Sequence, residues 1–348
     1  MVSFEKATLE KLVLHHVGNK ANDEKLHLGT APYVLNNDIS PILLKYFTNS
    51  FKPSQYFVFS DEEGFNNNFV YSQVENIFSD VTNNLYDASC EIAKHLFNVT
   101  THPNIKAGHL YVTYFQGCYI DGQQTDAVGI FKSENLDTYL KIYPKNEDFE
   151  IQTDEGININ KLDKGCIVFN KDKEDGYVVS VVDNISKGTQ AVYWTDDFLG
   201  LMQRQDAYFK TDNVLNIYKS FVKDELPKKY DISMMQQADF LNRADEYFRT
   251  NKNFNTENFN EKVLGDDSLC ESFHDYKQTY ETENGFHIDD DFIMSEEALK
   301  KASRYLRSII KLDKNFTIYV HGQRDMVELG EDKNNGLRYY KFFFKKEQ

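Results

Sequence analysis

No stretch of the chain approaches the roughly 20 consecutive apolar residues that a helix needs to cross a bilayer. The opening MVSFEKATLEKL also lacks the basic start and apolar core of a secretory signal. These two absences predict a soluble, cytoplasmic protein with no membrane partner. Cysteine is sparse: Cys90, Cys118, Cys166 and Cys270 lie far apart, and no two stand at C-x-x-C spacing. That excludes a compact zinc or redox motif and predicts buried thiols. Equally missing are G-x-x-x-x-G-K-[ST], G-x-G-x-x-G after a strand, H-E-x-x-H and G-x-S-x-G. No catalytic residue, resident metal or cofactor can be nominated from motifs, so a non-enzymatic protein is the expectation. Positive charge is short as well. With 39 basic against 55 acidic side chains the formal charge is −16, and any contact with nucleic acid has to be local, through a basic face on an acidic body.

What is present suffices for one large core or two smaller ones, since 41% of the 348 residues are hydrophobic. LEKLVLHHVGN and LHLGTAPYVL read as two strands flanking the polar turn KANDEK, and Pro41 suits the first turn of a helix in SPILLKYFTNSF. In SQVENIFSDVTNNLYDASCEIAKHLFN, Val74, Ile77, Val81, Leu85, Ala88, Ile92 and Leu96 recur at three- and four-residue steps and predict one long amphipathic helix. From Gly108 to Asn184, short runs rich in aromatic and β-branched residues, separated by Gly, Asn and Asp, predict an antiparallel meander. Helical patterns then dominate, two of them ending at glycine, and the chain closes on the β-like FTIYVHG, MVELGE and LRYYKFFFK. The fold class read from this order is α+β. Residues 1–211 form an α+β domain with a largely antiparallel sheet, and 212–348 a mainly helical domain with C-terminal strands.

Two segments carry the charge that chemistry would use. HIDDDF places His287, Asp289, Asp290 and Asp291 together, an oxygen-rich pattern of the kind hard cations use. The same residues also suit a solvated acidic loop, which is the reading adopted. The second segment is SEEALKKASRYLRSIIKLD, expected to be the last helix, with Ser295 as its N-cap. Lys300, Arg304, Arg307, Lys311 and Lys314 fall along one face of such a helix with Lys301 at the margin, while Leu299, Ala302, Leu306 and Ile309 or Ile310 face the other way. These six cations are the candidate DNA-binding residues, with Arg324, Arg338, Lys341, Lys345 and Lys346 nearby in sequence. The stretch AVYWTDDFLGLMQRQDAYFKTDN, with the sole tryptophan and paired aspartates, reads as a domain joint. In this reading Val192 and Trp194 lie on a strand, Asp196 and Asp197 accept backbone N–H groups, and Thr211 or Asp212 caps the following helix.

The order of segments resembles the bacterial nucleoid-associated proteins described as YejK or NdpA. The likeness rests on the two-strand start, GHLYVTYF, INKLDKGCIVFN, DDFLGLMQRQDAYFKTDNVL, FNTENFNEKVLGDDSLCESF, GFHIDDDFIMSEEALKKASRYL and FTIYVHGQRDMVELGE, in the same order over most of the chain. The strands around IYPKNEDFEIQTDEG are longer than in the enterobacterial members. The resemblance implies a cytoplasmic, nucleoid-associated DNA-binding protein, with topoisomerases or other nucleoid proteins as partners and a homodimer as its assembly. It brings no catalytic residue set. Two alternatives stand beside direct DNA binding: a protein-interaction module acting on a DNA-processing partner such as a topoisomerase, and a metal-dependent enzyme using HIDDDF and His274.

Overall fold

The computed structural model describes residues 2–53, 55–146, 148–185, 193–302, 308–312, 315–320, 326–333 and 335–346. The fold is α+β, with antiparallel strand pairing throughout. It divides into two compact units, Met1–Arg204 and Gln205–Gln348.

The first unit is built on one sheet. Its strands are β1 (Val2–Ser3), β2 (Thr8–Val17), β3 (Leu26–His27), β4 (Phe57–Phe59), β5 (Gly108–Ile120) and β6 (Gln123–Ser133). After a separate ribbon of β7 (Asp137–Lys145) and β8 (Asp148–Gly156) come β9 (Lys164–Phe169), β10 (Val178–Asp183) and β11 (Leu201–Gln203). The order across the sheet is β11-β4-β10-β9-β6-β5-β2-β3, with β1 also on β5. The expected meander is thus interrupted, because β6 pairs directly with β9 while, among the described residues, β7 and β8 pair only with each other. The second strand of the N-terminal pair shrinks to the two residues of β3.

Both faces of the central strands are covered, which is why KGCIVF in β9 is buried at every position instead of alternating. On one face Val112, Ile130, Val168 and Val179 meet α2 (Phe69–Ser79) and α3 (Val81–Val99), whose Val74, Ile77, Leu85, Ala88, Ile92 and Leu96 are buried. On the other, Leu12, Phe115, Phe131 and Ile167 meet Tyr46 and Phe47 of α1 (Ser40–Thr48). The apolar stripe expected of one long helix is therefore real but belongs to two. Asp80 leaves helical conformation at φ −157° and ψ 90°, and its carboxylate accepts from the N–H groups of Thr82 and Asn83 to start α3.

The second unit packs α4 (Ala207–Ser220), α5 (Met234–Thr250) and α6 (Asp267–Asn284) around Tyr218, Phe221, Phe248, Phe259 and Phe273, with edge-on ring contacts such as Tyr218 to Phe259 at 5.0 Å between centroids. Asp206 caps α4 by accepting from the N–H of Phe209, so Thr211 and Asp212 lie inside that helix and not at its start. Ser233 and Gln236 form a reciprocal capping box on α5. Strands β12 (Asn253–Asn255) and β13 (Asp291–Ile293) pair through Phe254 and Phe292. Then follow α7 (Glu296–Ala302), the hairpin β14 (Ser308–Leu312) with β15 (Phe316–Val320), and the hairpin β16 (Val327–Asp332) with β17 (Leu337–Phe342).

Candidate nucleic-acid interface

The predicted last helix is shorter than its periodicity implied. Ser295 does accept from the N–H of Ala298 at 3.4 Å, and Glu296 and Glu297 occupy the first turn, where the helix dipole favours anions. The described helix covers Glu296–Ala302, and from Ser308 the chain is a strand, SIIKL pairing with FTIYV, Ile309 opposite Tyr319 and Ile310 opposite Ile318. Both segments are rich in β-branched and aromatic residues, which favour strands over helices. The six candidate cations consequently do not line a single helical face. Lys300 and Lys301 are on α7, Lys311 is on β14 opposite Thr317, and Arg304, Arg307 and Lys314 lie outside the described residues.

The two helical lysines differ in surroundings. Lys300 is 79% exposed and sits 3.8 Å from the still more exposed carboxylate of Glu296, a pairing that water and salt screen heavily. Lys301 donates to the Tyr208 hydroxyl at 3.0 Å, with its ammonium 5.7 Å from the centre of that ring. On the terminal hairpin, Lys341 faces Glu328 at 3.4 Å and lies 5.0 Å from the Phe343 ring, and Arg338 stands opposite Glu331. Tyr339 and Phe344 are exposed alongside. Arg324 is outside the described residues.

The HIDDDF segment is committed elsewhere. Asp289 is ion-paired with Lys210 of α4, which holds its carboxyl below the ordinary range. Asp290 accepts from the Thr256 hydroxyl at 2.9 Å and from Lys277 at 3.4 Å; the first of these contacts chiefly lowers its pKa. Buried Lys277 of α6 also donates to the Ile288 carbonyl at 2.9 Å, while Glu281 takes His287 at 3.1 Å and the N–H of Ile288 at 3.2 Å. Lys277, Glu281, His274 and His287 line a pocket of about 600 Å³, where Lys277 and Glu281 clamp the loop onto α6. Among the described residues no three His, Cys, Asp or Glu side chains are grouped to hold a metal ion. Three of the four thiols are buried, and burial pushes Cys118 up to about 12, far from the reactive range.

A scan against family models matches residues 13–336 to the family described as nucleoid-associated protein YejK. The chain belongs to that family. No curated protein matches it. Membership associates the protein with the nucleoid, and among the described residues no helix is long and apolar enough to cross a membrane.

Sequence reasoning missed a second polar centre, in the first unit. Lys132, fully buried, donates to the Lys106 carbonyl at 2.7 Å and to Glu134 at 2.9 Å. Lys164, also buried, pairs with Asp183 at 3.0 Å. Both ammonium groups lie within 6 Å of the Tyr193 ring, at 5.8 and 5.5 Å, and the Tyr193 hydroxyl donates to Glu134 at 3.1 Å. Desolvation drives the Lys132 pKa down and the Tyr193 pKa up. Tyr193 opens the π-helical turn Tyr193–Phe198, so Trp194 sits in a helical turn, not on a strand; Val192 lies outside the described residues. The ion pairs therefore anchor that turn within the first unit. Nothing in the sequence marks them, because each lysine stands in a strand segment buried on both faces, where an apolar residue would be expected.

Proposed function

We propose that the protein binds DNA directly and with little sequence preference, through cations of 300–314 that contact phosphates. The observation that supports this reading is membership of a nucleoid-associated family in a chain whose basic run begins, on α7, with the exposed Lys300. Phosphate contacts position a protein without reading bases, and each one releases counterions. Five or six of them make the logarithm of affinity fall by about 5 per tenfold rise in salt. The proposed assembly is a homodimer acting with topoisomerases or other nucleoid proteins in the cytoplasm.

Mobility-shift titrations at two salt concentrations test this. The wild type is expected to bind at low salt and lose affinity steeply, and the combined Lys300→Glu, Arg304→Glu, Arg307→Glu, Lys311→Glu variant to bind at least tenfold more weakly. Unchanged binding by the variant removes these residues from the interface, and absence of any shift at low salt removes the activity.

The charge of −16 supports a second reading, in which an acidic surface engages a basic region of a DNA-processing enzyme. Co-purification that survives nuclease treatment, with no mobility shift, would select it. The metal-enzyme alternative is not carried forward, since His287, Asp289 and Asp290 each already hold a charged partner.

A further inference from the structure

The ribbon of β7 and β8 pairs with no other strand among the described residues. Directly opposed residues of an antiparallel pair share a face, and faces alternate along each strand. Leu140, Ile142 and Pro144, opposite Thr153, Ile151 and Phe149, therefore make one apolar face. The other carries Tyr139, Lys141, Tyr143 and Lys145 opposite Asp154, Gln152, Glu150 and Asp148, joined by ion pairs Lys141–Asp154 and Lys145–Glu150. The ribbon is amphipathic, yet its apolar face is bare: Leu140, Ile142, Phe149 and Ile151 are 64, 62, 69 and 64% exposed. Its root is held firmly. The Asp163 carboxylate accepts from the N–H groups of Glu134 and Asn135 at 2.7 and 2.9 Å, and the Asn158 amide reaches Asp137 at 2.7 Å. A lone two-stranded ribbon is marginal in water, so a rooted one with an uncovered apolar face calls for a cover.

We propose that this cover is the same ribbon of a second copy, the two apolar faces packing about a twofold axis. The inference rests on the homodimer in the reading above and names its surface. A twofold contact requires a self-complementary patch. Here Ile142 and Ile151 would meet their own counterparts at the centre, and Leu140 of one copy would meet Phe149 of the other. No charged side chain lies on the face between Leu140 and Phe149. That neutrality fits a second apolar ribbon and offers nothing to phosphate or to a charged partner. The four side chains present on the order of 500 Å² per copy, so pairing removes roughly 1,000 Å² from water, the low end of a specific interface. The dimer is accordingly weak and concentration-dependent.

Sedimentation equilibrium of the full chain, over a range of micromolar concentrations, tests it. The wild type is expected to show a monomer–dimer equilibrium, and the Ile142→Lys, Phe149→Ser double variant to dissociate at least tenfold more readily with an unchanged far-ultraviolet circular dichroism spectrum. A wild type that stays monomeric throughout overturns both the homodimer and this surface. A wild-type dimer that the variant retains overturns the surface alone. Should the double variant misfold, Ile142→Cys provides the readout: mild oxidation is expected to cross-link two copies at the axis, and failure to cross-link overturns the proposal.

Discussion

Asn68 shows how much one side chain holds in this molecule. Its amide donates to the carbonyls of Ser60, Leu199 and Gly200 at 3.0, 2.9 and 3.0 Å, while its oxygen accepts from the N–H of Tyr71 and caps α2. Gly200 stands at φ +61°, and a β-carbon there would come within 2.4 Å of that amide nitrogen. Asn68→Asp would preserve the cap but set a carboxylate against three carbonyls, so it is expected to destabilise more than Asn68→Ala, by about 3 kcal/mol or more against about 2. Urea denaturation orders the two; the reverse order would mean that the cap, and not the carbonyl cluster, dominates. His15 gives a pH dependence. Its Nδ1 accepts from the N–H of Gly29 and its Nε2 lies 3.0 Å from the Ser89 hydroxyl, and burial lowers its pKa to about 4. The unfolded chain binds a proton near the ordinary value of about 6.5 that the folded chain refuses. Stability from this group is therefore complete above pH ~6.5 and falls as pH drops toward ~4, by about 3 kcal/mol, with no further change below. Melting temperatures of the wild type and His15→Gln between pH 7 and pH 5 should show a shallower slope for the variant.

At the level of elements, what could be read from residues followed from periodicity. The stripe of α2 and α3 and the helices after residue 207 repeat apolar residues at helical period, because each turns one surface to a core, while the central strands show instead as short unbroken runs of β-branched and aromatic residues covered on both faces. The break at Asp80 was hidden, since its N-cap chemistry leaves the three- and four-residue spacing intact. The strand β14 was hidden for a different reason. RSIIKL fits a helical face as well as it fits a strand, and its partner FTIYV decides the matter through contacts that no local window contains. The candidate DNA-binding residues inherited that ambiguity, whereas the buried pair of Lys132 and Glu134 gave no periodic signal at all. Lys132→Met leaves the Glu134 carboxylate, 4% exposed, without its ammonium, and is expected to cost about 3–5 kcal/mol. Adding Glu134→Gln keeps an acceptor for the Tyr193 hydroxyl without the charge and should recover a large part of that loss in the same denaturation assay. A double variant as unstable as the single one would show that packing around Lys132, and not its charge, holds the Tyr193 turn.

On the scale of the whole molecule, a strongly acidic chain belongs to a family named for its place beside a polyanion. Long-range repulsion then opposes approach to DNA, and any attraction has to come from cations closer to phosphate than a Debye length, about 8 Å at physiological salt. The division into two compact units, each with its own core, also makes folding a matter of two cooperative blocks. The tryptophan offers a way to watch one of them. Trp194, the only one in the chain, is fully buried between Tyr193 and Phe198 in the first unit. Its emission is an optical label that nature has placed on that unit alone, while the second unit stays dark at wavelengths tyrosine does not absorb. Fluorescence will therefore follow the first unit alone while helical dichroism sums the helices of both, so a transition seen in dichroism without a change in emission belongs to the second unit.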